Sequence, residues 1–303
     1  MERCNRPRRR LCLLLALCAL CAWTACAPAA PAAAPTQTAA QTAAPAREPT
    51  PAPSPTPSPT PSPTPVPDGA LDAGVLDGYF AGAVLVGDSL TGGLNGYIRR
   101  LRAAGEPALG EARIVYRSAL SLQYVAQMER GEYPPMLKYR NRSYCLSALL
   151  EAMEAERAFL LFGVEDACRY DLETNLAHVR EVVEAVRARC PDTELVLLSF
   201  PPVLETYARE LGLAGCAPES NAASNRALQA LCAELGVGYV DLAARLRTAG
   251  GYLEPSYCLD TYFHLNDGGK ALWVRCLREY AREQYESGRW TPAPSPAGTD
   301  APA

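Results

Sequence analysis

Residues 83–91 read Ala-Val-Leu-Val-Gly-Asp-Ser-Leu-Thr. The first four residues of this stretch are apolar and two of them are β-branched, which predicts a strand buried on both faces that ends at Gly87. Ser89 follows two residues later. The carboxyl ends of strands in an open parallel sheet border the crevice that binds ligands, so Ser89 is predicted to lie where a nucleophile could act.

A second stretch, residues 260–266, contains the other candidates for chemistry. It reads Asp-Thr-Tyr-Phe-His-Leu-Asn and includes His264, one of the two histidines of the chain. A serine needs a base to act as a nucleophile near neutral pH, and imidazole is the usual base. We therefore predict that Ser89 and His264 lie together in the folded protein. The other histidine, His178, lies on the polar side of a predicted helix and is expected to be solvated.

The intervening sequence alternates between strand and helix patterns. Four more apolar runs predict strands at 112–116, 158–163, 195–200 and 237–241. Apolar residues at helical spacing predict helices at 92–103, 118–128, 147–155, 176–186, 221–235 and 268–285. This alternation predicts an α/β fold with a parallel sheet covered by helices on both faces.

Three blocks of the sequence resemble the GDSL, or SGNH, hydrolases. Gly87-Asp88-Ser89-Leu90 matches the first block of that family, and the loop 260–264 before a helix is similar to its last block. Asn225 in a helix, followed by 236–241, resembles the helix, strand and aspartate before that last block. The resemblance runs in order across 79–287. It implies a flavodoxin-like three-layer α/β/α sandwich with five parallel strands in the order 2-1-3-4-5.

The resemblance also implies roles for individual residues. Ser89 corresponds to the nucleophile, His264 to the base, and Asp260 to the acid that orients the imidazole. The family binds the oxyanion with the backbone N–H of the serine, the N–H of a glycine after strand two and an asparagine after strand three. In this sequence the second position is Ala119 and the third is Glu165.

Two departures from the family pattern affect the expected activity. An ionised Glu165 beside a developing oxyanion is repulsive, so we expect slower or altered turnover unless the carboxyl is protonated by burial or turns away. Ala119 can donate its N–H only if alanine adopts a backbone conformation that favours glycine. In addition, three residues separate Asp260 from His264, where the family commonly has two, and a loop bulge is expected to absorb the extra residue.

The predicted function is hydrolysis of a small acyl ester, such as an acetyl group on a glycan, through an acyl-enzyme on Ser89. Neither a metal nor an organic cofactor is implied, and a monomer is expected. Two alternatives stay open. One is a catalytically impaired lipoprotein of the same fold that binds glycans or organises the envelope, and the other is an O-acyltransferase that uses the same serine.

The N-terminal residues 1–26 have the layout of a secretory signal. Five arginines precede an almost wholly apolar stretch at 11–25, which is short for a membrane span. Thr24-Ala25-Cys26 resembles the end of a bacterial lipobox, which implies lipidation of Cys26. We therefore predict an extracytoplasmic lipoprotein anchored to the membrane at the cell surface. Simple secretion or an uncleaved anchor are the alternatives.

Composition divides the rest of the chain into three parts. Residues 27–68 are rich in Pro, Ala, Thr and Ser with almost no charge, which predicts a disordered linker that favours polyproline II. Residues 69–290 have the length and apolar content of one hydrolase-like domain. Residues 291–303 again predict a disordered tail.

Charge and cysteine content narrow the possible partners. The net charge is −4, and without residues 1–10, which carry five Arg and one Glu, it is −8, so the acidic remainder disfavours nucleic-acid binding. The domain contains seven cysteines without metal-ligand spacing, and their odd number leaves at least one thiol unpaired within the chain. Lys138, Arg140 and Arg142 lie in a predicted long loop. They are expected to be solvated, and contact with an anionic glycan is the alternative hypothesis.

Overall fold

The structure is a computed structural model and describes residues 72–292. The predicted signal and lipobox at 1–26, with Cys26, lie outside the described residues, as do the linker at 27–68 and nearly all of the tail at 291–303. These stay predictions. Within the described part, no helix combines the length and apolarity needed to cross a membrane.

Five parallel strands form the central sheet. The strands along the described chain are β1 (Ala83–Gly87), β2 (Arg113–Tyr116), β3 (Leu137–Tyr139), β4 (Arg142–Tyr144), β5 (Arg157–Leu161), β6 (Glu194–Leu198) and β7 (Gly238–Val240). The sheet has the order β2-β1-β5-β6-β7, and β3 pairs with β4 in an antiparallel hairpin. Numbered within the sheet alone, this order is 2-1-3-4-5, so the predicted fold class is confirmed.

The helices cover both faces of the sheet. Within residues 72–292 they are α1 (Ala73–Asp77), α2 (Ser89–Ala103), α3 (Leu122–Glu129), α4 (Leu146–Ala152), α5 (Val164–Arg169), α6 (Leu172–Arg189), α7 (Glu205–Leu211), α8 (Pro218–Leu235), α9 (Leu242–Leu246) and α10 (Asp267–Glu286). The described chain also has 3₁₀ turns at Gly78–Phe80, Ala214–Cys216 and Pro255–Tyr257.

Strand β1 shows how the two cores arise from one buried strand. All five of its residues are buried. Val84 and Val86 belong to the core on the face covered by α3, α4, α6 and α8. Leu85, which points to the other face because side chains alternate along a strand, belongs to the core under α2, α9 and α10. A strand buried on both faces therefore needs the unbroken apolar run seen in the sequence.

Gly87, the last residue of β1, lies where there is no space for a side chain. A Cβ at Gly87 would clash with the side chain of Thr91 and the carbonyl oxygen of Leu161. The chain therefore passes directly from β1 into α2, and the Asp88 carboxylate caps the new helix by accepting a hydrogen bond from the Leu90 N–H at 2.8 Å. This turn places Ser89 at the first residue of α2, above the carboxyl end of β1.

Two sequence predictions need correction. The predicted loop that carries Lys138, Arg140 and Arg142 contains the β3–β4 hairpin, whose turn places Arg140 and Asn141 at φ 44° and 63°. Asn-Gly or Gly-Gly is the usual sequence signal for such a turn, and this hairpin has neither. His178 is only half-exposed, and its Nδ1 is buried without a hydrogen-bond partner among the described residues.

Candidate active site

The structure brings Ser89 and His264 into direct contact. The Ser89 Oγ and the His264 Nε2 lie 2.9 Å apart, although 175 positions separate the two residues in sequence. Ser89 begins α2, and His264 lies in the loop that leads into α10. This is the distance at which an imidazole can accept a hydroxyl proton, so the pair has the geometry of a nucleophile and its base.

Asp260 contacts His264 on the side of the ring away from Ser89. Its Oδ2 lies 2.5 Å from His264 Nδ1, on the opposite side of the ring from Ser89. Its Oδ1 accepts hydrogen bonds from the backbone N–H groups of Tyr262, Phe263 and His264 at 2.8, 3.2 and 3.3 Å. One carboxylate thus orients the imidazole and also fixes the backbone of its own loop.

The extra residue between Asp260 and His264 is absorbed inside this loop. Cys258 and Leu265 form an antiparallel bridge, and the Leu259 N–H donates to the His264 carbonyl at 2.7 Å. The bridge closes the loop at its base, while the Asp260 carboxylate draws its tip together. The longer spacing is therefore compatible with an aspartate–histidine contact.

Partial burial raises the pKa of Asp260, but the hydrogen bonds from His264 and the Tyr262 N–H outweigh it and hold the pKa below the usual range. The acid is therefore ionised at neutral pH. An ionised carboxylate beside Nδ1 favours the tautomer that leaves Nε2 free to accept a proton, and it stabilises the imidazolium that results.

Aromatic packing supports the base from behind. The Phe263 ring centroid lies 4.8 Å from that of His264 at an interplanar angle of 31°. Tyr207 on α7 packs edge-on against Tyr262 at 5.0 Å and contacts Phe263 at 6.0 Å. The loop is also tied to α7 because the Leu204 N–H donates to the Tyr262 carbonyl at 2.9 Å. These contacts restrict the imidazole to one orientation.

Ala119 adopts the conformation that its position requires. Its φ is 57°, in the left-handed region where the family has glycine. The Leu120 N–H donates to the Arg117 carbonyl at 3.1 Å, and the Arg117 N–H donates to the Gly87 carbonyl at 3.0 Å. The turn around Ala119 is thus attached to the end of β1, two residues before Ser89. Its backbone lies beside the same cavity as Ser89.

Glu165 also lines that cavity, but its carboxylate pairs with a neighbour. Glu165 is the second residue of α5, its side chain is 48% exposed, and it lies 3.5 Å from the Arg169 guanidinium one turn later. Of the two predicted ways for Glu165 to avoid the oxyanion, the structure favours turning away toward Arg169.

A residue that sequence reasoning missed, Asp166, connects the two candidate oxyanion segments. It is 1% exposed, and its carboxylate accepts hydrogen bonds from the N–H groups of Leu122 and Gln123 at 3.0 and 3.3 Å. These N–H groups begin α3, directly after the turn around Ala119. Asp166 therefore fixes the position of that turn relative to α5. Its place beside Glu165 was the only sequence signal.

Sequence reasoning also assigned no role to Asp88, which it named only as part of the motif around Ser89. Asp88 is 7% exposed and lines the cavity beside Ser89. Burial raises the pKa of Asp88 to about 7, although the Leu90 N–H and the charge of His264 act in the opposite direction. An acid that titrates near neutral pH next to the candidate nucleophile makes this part of the site sensitive to pH.

We expect Asp88→Asn to raise the free energy of unfolding more at pH 8 than at pH 4.5. Because the folded-state pKa of Asp88 is raised from 3.8 to about 7, its contribution to stability is complete below pH 4 and is lost as the pH rises toward 7. At about 1.4 kcal/mol per pKa unit, the loss is at most on the order of 4 kcal/mol. Asparagine keeps the capping oxygen without the charge.

The measurement is urea unfolding of wild type and variant at both pH values. The matched control is Asp241→Asn at the exposed cap of α9, where the carboxylate accepts from the Ala244 N–H. The control should follow the wild-type pH dependence. An Asp88→Asn effect that is equal at pH 4.5 and pH 8 would contradict the prediction.

The cavity beside Ser89 is small. Its volume is about 10 Å³, roughly the minimum that holds one water molecule, and Leu120 and Phe263 supply its apolar walls. Within residues 72–292, no group of three or more His, Cys, Asp or Glu side chains is arranged to hold a metal ion.

A serine at the carboxyl end of an inner parallel strand, in contact with a histidine that is itself paired with an aspartate, defines the class of α/β proteins with a serine-hydrolase-type site. The comparison with family sequences makes this specific. Residues 85–272 match the sequence model of the GDSL-like lipase/acylhydrolase family, and this match covers more than half of the chain. The protein belongs to this family. No curated protein is similar enough in sequence to count as a match.

Two solved structures are similar to this chain at low sequence identity. A GDSL-like lipase from Bacteroides thetaiotaomicron is 13% identical, with a TM-score of 0.50 over 66% of this chain and 87% of that chain. A catalytic mutant of an acetylxylan esterase from Geobacillus stearothermophilus is 15% identical, with a TM-score of 0.44 over 66% of this chain and 93% of that chain. At these identities the similarity concerns the fold alone.

Proposed function

We propose that the protein hydrolyses esters of small acyl groups through an acyl-enzyme on Ser89. The observation that carries this proposal is the continuous line of contacts from Ser89 Oγ through His264 to Asp260, at 2.9 and 2.5 Å. Membership of a hydrolase family and the place of Ser89 at the end of β1 are consistent with it.

In the first half of the reaction, Ser89 Oγ attacks the ester carbonyl while His264 Nε2 takes the hydroxyl proton. Asp260 stabilises the imidazolium through Nδ1. When the tetrahedral intermediate collapses, His264 returns the proton to the leaving alcohol, and the acyl group stays on Ser89. In the second half, water attacks the acyl-enzyme with the same base, which releases the acid and restores the serine.

Two backbone N–H groups are suited to receive the oxyanion. The N–H of Ser89 is the first of α2, and a helix leaves its first N–H groups without an intrahelical acceptor and slightly positive. The N–H of Ala119 belongs to the left-handed turn attached to β1. Preorganised donors of this kind are each worth roughly 10²–10³ in rate.

The shape of the site supports a short acyl group on a larger, flat alcohol. The cavity beside Ser89 offers little enclosed space, which favours the smallest acyl groups over a long chain. Outside it, Tyr116 and Tyr262 are 46% and 45% exposed. Tyr116 is paired in register with Gly87 and its ring lies against Gly92, while Tyr262 is two residues from His264. Exposed aromatic rings beside the helix of Ser89 and in the loop of His264 suit stacking against a sugar ring, which supports an acylated glycan as substrate.

We further propose that the enzyme acts outside the cytoplasm, held by a lipid on Cys26. This rests on the arginine-rich, apolar layout of residues 1–26 and on the lipobox-like Thr24-Ala25-Cys26. Metabolic labelling with a fatty-acid analogue should tag wild type and leave Cys26→Ser untagged. Equal labelling of the two proteins would contradict the anchor.

The function is tested with the full chain on p-nitrophenyl esters of acetate, butyrate and octanoate, and on an O-acetylated oligosaccharide. We expect kcat/KM to fall steeply from acetate to octanoate. Acetyl groups recovered as free acetate indicate a hydrolase. Recovery on an added sugar acceptor would indicate the O-acyltransferase instead. Preference for octanoate would contradict the small-acyl assignment.

We expect Glu165→Asn to raise kcat for p-nitrophenyl acetate by up to about 10²-fold, because the amide can donate to the oxyanion where the carboxylate cannot. Since the new contact exists only in the transition state, KM should change little. Glu165→Ala is the matched control, because it removes the charge without adding a donor. An asparagine variant no faster than the alanine variant would contradict the prediction.

The same pair of variants addresses the alternative of an impaired binding protein. The observation that favours this alternative is the presence of a carboxylate, Glu165, on the wall of the cavity next to Ser89. Wild type at the background rate of Ser89→Ala, together with turnover by Glu165→Asn, would support it.

A further inference from the structure

Two cysteine thiols meet at the end of α5. Cys168 is the fifth residue of that helix, and Cys216 ends the 3₁₀ turn Ala214–Cys216. The two thiols lie within hydrogen-bonding reach of each other and line one small cavity of about 10 Å³. Cys216 is 5% exposed, and Cys168 packs against the same core cluster.

The backbones that carry these thiols are also in contact. A Cβ at Gly215 would lie 2.8 Å from the Cys168 carbonyl oxygen and would clash with that of Ala167. Only glycine therefore allows the turn to approach α5 this closely. A disulfide needs its two Cβ atoms about 3.5–4.5 Å apart, a separation that requires the two segments to be in close backbone contact, as they are here.

We propose that Cys168 and Cys216 form a disulfide when the protein folds in an oxidising compartment. The oxidant is a small-molecule disulfide such as oxidised glutathione. One cysteine sulfur, as thiolate, attacks a sulfur of the oxidant and releases one small thiol; the second cysteine sulfur then attacks the mixed disulfide and releases another. The two protein thiols give up two protons and two electrons, which leave as two small thiols.

The bond would form during folding. Burial and the neighbouring Cys216 thiol raise the pKa of Cys168 in the folded protein, which leaves little thiolate for exchange. Once formed, the link would join α5 to the turn before α8. Because α5 also carries Glu165 and Asp166, the link would stabilise the segment that fixes the turn around Ala119.

Peptide mapping tests the proposal with the full chain. The protein is unfolded, reduced, refolded in a glutathione redox buffer, alkylated and digested with trypsin. Peptides 158–169 and 210–226 each contain a single cysteine, so the linked pair has one defined mass. We expect that mass in wild type and in the control Cys145→Ser, and its loss in Cys168→Ser and in Cys216→Ser. Reduction should lower the Tm of wild type by roughly 5–15 °C.

Recovery of both peptides singly alkylated at every redox ratio would overturn the proposal. A linked peptide without a change in Tm would overturn its stabilising role. Neither measurement uses ester hydrolysis, so the result is independent of the proposed function.

Discussion

Ser89→Ala is expected to lower kcat for p-nitrophenyl acetate by about 10⁴–10⁶-fold, because the variant loses the atom that forms the acyl-enzyme. His264→Ala should have an effect of similar size, since Ser89 would keep its proton. The two residues act as a unit, so the double variant should be little slower than either single variant. Initial rates with the purified full chain measure all three.

The matched control is Ser121→Ala, which removes a second serine hydroxyl at the same cavity. The Ser121 Oγ accepts a hydrogen bond from the Tyr124 N–H at 3.2 Å and caps α3. Its loss should cost about 1 kcal/mol of stability and leave kcat within a few-fold. Equal rates for Ser89→Ala and wild type, with measurable turnover in both, would exclude a serine mechanism.

Asp260→Asn is expected to lower kcat by about 10³–10⁴-fold. The amide would present an N–H₂ group or an uncharged oxygen to His264 Nδ1, so the ring would lose its preferred tautomer and the imidazolium its counter-charge. KM should change little, because this loss falls on the transition state. A Tm close to that of wild type would separate this effect from misfolding.

Asp267→Asn is a suitable control for this substitution. Asp267 begins α10 three residues after His264, is exposed, and pairs with Arg100 at 2.7 Å. Surface ion pairs contribute about 0–1 kcal/mol, so this variant should keep wild-type kcat. A kcat for Asp260→Asn within tenfold of wild type would show that the acid is dispensable.

Much of the fold could be predicted because buried parallel strands must be apolar throughout. The runs around Leu85, Phe159 and Val196 leave little choice of structure, and the glycines at 87 and 163 mark where two of them end. The sequence motifs also predicted Ser89 as the nucleophile and His264 as its base, and the structure places the two in contact. These features depend on local sequence.

The remaining features depend on contacts between distant segments. The left-handed φ of Ala119 is set by the attachment of its turn to β1. Alanine has no preference for that conformation, so the sequence could not predict it. The burial that raises the pKa of Asp88 comes from segments far along the chain. The role of Asp166 requires α3 and α5 to be neighbours, and α5 itself, six residues long, has no clear helical period.

Base and acid belong to a single closed loop, 258–265, whereas the nucleophile belongs to the end of a buried strand. Opening that loop at the Cys258–Leu265 bridge would remove His264 and Asp260 from Ser89 together. It would expose Phe263 and Leu265 at the edge of one core and leave the sheet intact. Local openings of this kind require less free energy than global unfolding. Heating should therefore produce a folded but inactive population, in which amide hydrogens of the loop exchange while those of β1 stay protected.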